Sequence, residues 1–268
     1  MRNNIEFITL ENEFLKITLC NLGASIYRIQ YLEDDMVVTP IDKGVFCHND
    51  LYYGKTIGNL CGRILIDGKV QLHGGPNGLS MKVFKYQMKD NEVEFQYKGI
   101  IVSYKLEKNS LLVSYSASVD SPELFSLTNH AFFCLGENSI DKLSLKMRAT
   151  HYIYYDKDLI PIEMRPISGR FIFDDYRKLG DGDIDNFFLV PDRILRLKSN
   201  KYEMTITSDF EGTQIYTDHF RMNFKSTLSS KDSYRGVAIE PQDNQLDRKI
   251  LEPGNVYHRN IKYTFSKS

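Results

Sequence analysis

Two residues in this chain pair a titratable side chain with a position suited to a cleft. His130 lies in Ser126-Leu127-Thr128-Asn129-His130-Ala131-Phe132-Phe133-Cys134-Leu135, where polar residues lead into an apolar strand. Imidazole has an ordinary pKa of ~6.5, so it gives and takes protons near neutrality. The competing reading of one such histidine is a hydrogen-bonded core residue. Glu240 follows Gly236-Val237-Ala238-Ile239 and precedes Pro241, so it reads as the end of an apolar strand that proline stops. A carboxylate there is partly desolvated, which raises its pKa and makes it a better base. The competing reading is an exposed glutamate at a strand end.

Three further stretches carry groups that bind hydroxyls. In Gly58-Asn59-Leu60-Cys61-Gly62-Arg63-Ile64, the Arg63 guanidinium follows a glycine-rich approach. Aimed into a cleft, its planar fork donates two hydrogen bonds to adjacent hydroxyls; on the surface it pairs with a carboxylate. Gln71-Leu72-His73-Gly74-Gly75-Pro76-Asn77-Gly78 lets backbone approach a ligand and presents His73, or it is a plain loop with an incidental histidine. It is no phosphate loop, since no Lys-Ser/Thr follows. Asp181-Gly182-Asp183-Ile184-Asp185-Asn186 invites a calcium reading, but Asn186 stands where that loop needs glycine, and a strand-like run follows. A solvated acidic turn, or Asp185 accepting from a hydroxyl, fits better.

The elements that must position these residues are strands. Leu15, Ile17 and Leu19 alternate with polar neighbours, as do Val93, Phe95 and Tyr97. Val102, Tyr104 and Leu106 turn through Glu107-Lys108-Asn109-Ser110 into Leu111, Val113, Tyr115, Ala117 and Val119, a hairpin signature. Leu143 to Ala149, Met204 with Ile206, and Ile261 to Phe265 repeat the pattern. Turn signals recur at roughly 8–12 residues, the spacing of an all-β sandwich or barrel. About 20 strands at that spacing exceed a small sandwich, so two large stacked antiparallel sheets are expected. Asp174–Gly180 could hold one helical turn. No linker, repeat or low-complexity tract intervenes, and residues 1–268 read as one domain.

Composition narrows the partners. The 34 basic and 35 acidic residues leave a net charge of −1, without the positive field that nucleic acid or an anionic membrane requires. Tyr and Phe supply the aromatic content, with no Trp. Cys20, Cys47, Cys61 and Cys134 match no metal or redox spacing, and the opening Met1-Arg2-Asn3-Asn4 lacks an apolar signal segment. A cytoplasmic protein with free thiols is expected.

Taken together, Gly-Arg-Ile, Leu-His-Gly-Gly, Leu-Thr-Asn-His, the Asp near Asn-Phe, Ile-Glu-Pro-Gln and the closing Leu251-Glu252-Pro253-Gly254-Asn255-Val256-Tyr257 resemble the aldose 1-epimerase (galactose mutarotase) family. The resemblance runs from about Leu15 to Phe265. It implies a β-supersandwich of large twisted antiparallel sheets. It also implies an isomerase that interconverts anomers of a free aldohexose, with Glu240 as general base, His130 as general acid, and Arg63, His73 and Asp185 binding the sugar. It calls for no cofactor or metal and for no partner but a small sugar, in a monomer or homodimer. The family usually writes the first motif Gly-Arg-x-x-Asn-Arg-Ile; here Asn59 and Gly62 replace its first Arg and its Asn. The Arg63–His73 link is short, and Phe84 stands where Trp is common. These departures are expected at the cleft rim, where they bear on sugar specificity. A non-catalytic sugar-binding homologue and an epimerase of a phosphorylated hexose remain as alternatives, together with a glycosidase using Glu240 and Asp185.

Overall fold

The computed structural model describes residues 4–48, 50–180, 183–218, 225–227 and 235–268. Two large antiparallel sheets dominate. The nine-stranded sheet runs, in spatial order, Arg177–Lys178, Ser144–Met147, Ile194–Lys198, Tyr202–Ser208, Tyr257–Lys267, Ser110–Ala117, Ile100–Glu107, Glu92–Tyr97 and Lys85–Lys89. The seven-stranded sheet runs Pro161–Pro166, His151–Tyr155, Asp185–Leu189, Gly212–Thr217, Val237–Gln242, Phe132–Phe133 and Val37–Val38. A four-stranded sheet begins the chain, from Phe7–Glu11 to Asp34–Asp35. This is the galactose mutarotase-like β-supersandwich that the motifs imply.

Alternation explains how the large sheets meet. Ile100–Glu107 pairs with Ser110–Ala117 in register from Ile100 opposite Ala117 to Glu107 opposite Ser110, so Lys108-Asn109 makes the turn. Val113, Tyr115, Ile261 and Tyr263 then point to one face and are fully enclosed. They share a single apolar cluster with Ile215, Val237 and Ile239 of the seven-stranded sheet. The Phe133 and Tyr263 rings, from opposite sheets, lie 5.0 Å apart between centroids.

Helix is scarce. Lys43–Cys47 makes one turn, with the Asp42 side chain accepting from the Val45 amide as an N-cap. No helix among the described residues is long and apolar enough to cross a membrane. The helical turn expected within Asp174–Gly180 does not form, because Arg177–Lys178 joins the edge of the nine-stranded sheet instead. A second expectation also changes. Glu240 does not end its strand, which continues through Pro241 to Gln242. The Pro241 carbonyl accepts from the Thr128 hydroxyl at 2.7 Å, away from the ladder with Gly212–Thr217. The missing N–H faces the same side, so the ladder loses nothing.

Candidate active site

Strands Gly212–Thr217 and Val237–Gln242 are buried on both faces. One face carries Ile215, Val237 and Ile239 into the common core. The other presents Gln214 opposite Glu240 and Tyr216 opposite Ala238, with Asp185 beside Tyr216 on the next strand. Strand register alone therefore brings Asp185, Gln214 and Glu240 onto one floor. Above it opens a cavity of about 300 Å³, whose walls include Arg63, His73, His130, Tyr155 and Gln245. All five residues singled out in the sequence meet there.

Each residue of the Leu-Thr-Asn-His motif has a task. Thr128 ties the segment to the Glu240 strand through Pro241, and the Asn129 side chain donates to the Gly54 carbonyl at 3.0 Å. The His130 amide donates to the Lys55 carbonyl and its carbonyl accepts from the Gly54 amide, both at 2.9 Å. This double clamp sets His130 Nε2 3.5 Å from Glu240 Oε1. Both side chains are almost fully buried, at 8% and 3% exposure. Burial therefore governs their protonation. It lowers the His130 imidazole to about 4. It raises the Glu240 carboxyl well above the usual carboxylate range, with the Asp185 charge adding to the effect. Both shifts favour the uncharged forms, a neutral imidazole and a protonated carboxyl.

Arg63 and His73 stand at the two ends of a hairpin, Arg63–Ile66 with Lys69–Leu72. Its turn is Asp67-Gly68, both at positive φ, the two-residue connection that suits twisted strands. This turn is the physical content of the short Arg63–His73 link. His73 Nδ1 accepts from the Gly62 amide at 3.3 Å, which leaves the proton on Nε2. Burial, then neighbouring His130 and Arg63, push the His73 pKa well below the ordinary imidazole value, so it stays neutral. Arg63 Nη1 lies 3.8 Å from Asp185 Oδ2. Arg248 braces the hairpin base by donating to the Cys61 and Arg63 carbonyls at 2.9 and 2.8 Å.

Gln214 went unnoticed in the sequence and is central here. Its Nε2 donates to Asp185 Oδ1 at 2.6 Å, while its Oε1 accepts from the Tyr155 hydroxyl at 3.1 Å and from Gln245 Nε2 at 3.2 Å. The only hint was a glutamine within the strand-like run Gly212-Thr213-Gln214-Ile215-Tyr216-Thr217. Asp185 is therefore an acceptor within the site. Asp181 and Gly182 of the calcium reading lie outside the described residues. Among the described residues no group of three or more His, Cys, Asp or Glu side chains is placed to hold a metal.

The three substituted positions do not share one location. Gly62 lines the cavity, and a Cβ there would sit 2.5 Å from Gln245 Oε1, so glycine makes room for that amide. Asn59 instead donates to Glu123 at 3.3 Å, and Phe84 is a core residue against Tyr97. Neither lines the cavity as expected, because the Asn59 side chain turns to Glu123 and the Phe84 ring is buried in the core.

The description "Aldose 1-epimerase" belongs to the family model that matches residues 6–264. Human galactose mutarotase is 24% identical, with 98% of this chain and 94% of that protein covered. A maltose epimerase of Levilactobacillus brevis is 22% identical over 88% of this chain and 85% of that one. Among solved structures, an aldose epimerase homologue from C. elegans superposes with a TM-score of 0.87 at 26% identity, covering 98% of this chain and 99% of that one. With the match spanning nearly all of its length, the chain belongs to the aldose 1-epimerase family.

Proposed function

We propose that the chain interconverts the α and β anomers of a free aldohexose such as galactose or glucose, with Glu240 and His130 moving the protons. The 3.5 Å approach of their side chains inside the cavity carries this reading. Ring opening removes the proton of the C1 hydroxyl and adds one to the ring oxygen. Those two oxygens share one carbon, so an acid and a base a few ångströms apart serve both. Shifting the resting proton from Glu240 to His130 creates a carboxylate base beside an imidazolium acid. Glu240 then takes the hydroxyl proton while His130 protonates the ring oxygen. The aldehyde turns about its bond to C2, and closure on the other face reverses both transfers. The pair ends with the one proton it began with. Catalysis of this kind contributes about 10²–10⁴-fold. Arg63, His73 and Asp185 are assigned to sugar hydroxyls, with Gln214 holding Asp185 in place.

The described cavity walls argue against a phosphorylated substrate. They carry Asp50, Asp183, Asp185 and Glu240 against the single cation of Arg63. A phosphate dianion calls for a cluster of Arg or Lys. The glycosidase reading leaves His130 without a task.

Polarimetry on freshly dissolved α-D-glucose or α-D-galactose tests the proposal. The expected result is a decay to equilibrium faster than the buffer blank and proportional to protein concentration. A rate equal to the blank across several aldoses overturns it. Calorimetric sugar binding with no such acceleration would favour the non-catalytic sugar-binding alternative.

A further inference from the structure

The cavity wall contains a buried amide that the proposed reaction leaves without a task. Gln245 follows the strand Val237–Gln242, lines the cavity and is only 6% exposed. A primary amide carries two donors and an acceptor, and burying one of them unpaired costs stability.

The hydrogen bonds along the cavity floor run in one direction and fix how this amide is turned. A carboxylate only accepts, so Asp185 Oδ1 takes the Gln214 Nε2 donor at 2.6 Å. Gln214 Oε1 is then left to accept from the Tyr155 hydroxyl at 3.1 Å and from Gln245 Nε2 at 3.2 Å. With its nitrogen committed to Gln214, Gln245 keeps Oε1 on the other side of the carboxamide. That oxygen takes no hydrogen bond among the described residues. Each bond in the series polarises the next, so the Asp185 charge makes Gln245 Oε1 a stronger acceptor.

The position of that oxygen is set by Gly62. A Cβ on Gly62 would lie 2.5 Å from Gln245 Oε1, 2.7 Å from its Cδ and 3.0 Å from its Nε2. The carboxamide therefore fills the space that a side chain at position 62 would take. Gly62 precedes Arg63 and donates its amide to His73 Nδ1 at 3.3 Å. Arg248, just beyond Gln245, holds the same segment by donating to the Cys61 and Arg63 carbonyls at 2.9 and 2.8 Å. The unpaired acceptor is thus seated on the stretch of wall that carries Arg63 and His73.

We propose that Gln245 is a sugar-binding, specificity-determining residue, its Oε1 accepting a hydrogen bond from one hydroxyl of the aldose. This rests on the reading of the cavity as a sugar site. A site built to bond a hydroxyl rejects the analogue that lacks it, because its buried polar group is then left unpaired.

Titration calorimetry with glucose, galactose and their monodeoxy analogues tests this, with polarimetry beside it. The wild type should bind one monodeoxy analogue about tenfold more weakly than its parent. Gln245→Met, of similar length but without the amide, should bind the parent about tenfold more weakly and lose discrimination against that analogue. Its KM should rise with a smaller change in kcat. Gly62→Ala, whose methyl group displaces the amide without removing it, should lose the same discrimination. Discrimination that survives in both variants, or a wild type indifferent to every deoxygenation, overturns the proposal. Mutarotation with discrimination independent of Gln245 sinks this role and leaves the proposed function standing. Sugar binding that depends on Gln245 without accelerated mutarotation does the reverse.

Discussion

The strand Val237–Gln242 is equally enclosed on its two faces, and the faces do opposite things. Val237 and Ile239 are fully buried in the common core, while Glu240 and Gln242, at 2% and 1% exposure, are just as hidden on the cavity side. Apolar burial on the first face contributes roughly 25 cal/mol per Å² to stability. On the second face, burying an ionisable carboxyl costs stability, and the raised Glu240 pKa records that cost. Depth therefore does not separate the structural residues of this strand from the chemical ones. The chemistry of the opposing wall does.

The sharpest way to break the contrast is Glu240→Gln. Mutarotation is expected to fall by about 10²–10⁴-fold. Stability should follow pH with a definite sign. Because the folded carboxyl titrates above its ordinary value, the stability it permits is full below the usual carboxylate range and is lost as pH rises through the raised pKa. The wild-type melting temperature should therefore decline with rising pH, and the amide variant should escape that decline. Equal pH slopes in the two proteins would show that the carboxyl carries no burial cost. Ile239→Ala makes the converse cut. It should remove about 2–5 kcal/mol in a denaturant titration while leaving kcat near wild type at temperatures where the variant is folded.

His130 gives an effect of opposite sign. Its folded pKa is lowered to about 4, so the stability it contributes is present above the ordinary imidazole value and lost as pH falls through about 4. Thermal melts of His130→Asn should show less acid destabilisation than the wild type between roughly pH 6.5 and 4, and almost no mutarotation at any pH. The smallest expected change is Gln214→Ala. Loss of its bond to Asp185 should raise KM about tenfold, the worth of one buried hydrogen bond, with a smaller effect on kcat. A variant that lost kcat alone would place Gln214 among the proton-transfer groups.

The strands and their core face were legible because alternation is a local signal. Leu111, Val113 and Tyr115 announce their sheet without knowledge of any other segment. The pair proposed to move the protons, His130 and Glu240, was legible through motif wording, and Arg63, His73 and Asp185 with it. Gln214 and Tyr155 were not, since an amide or phenol in a strand looks the same whether it faces solvent or a cavity. Only the register between strands decides that, and register is a property of pairs. Pro241 misled for a related reason. A proline ends a strand that needs its N–H, and which side of the ladder it faces is not written in one segment. Asn59 and Phe84 were assigned to the rim from motif order, which says nothing about the direction in which a side chain leaves the backbone.

The Asp67-Gly68 turn has a consequence for how this cavity could be remodelled. It lies between exposed Leu65, Ile66 and Val70, and nothing stands within 4 Å of where a Gly68 Cβ would be. Doubling a loop's length adds only about 0.6 kcal/mol of closure entropy. Longer segments grafted there would extend the hairpin beyond Arg63 and His73 while the floor of Asp185, Gln214 and Glu240 stayed untouched. Which sugar enters and what happens to it once inside would then be adjustable separately.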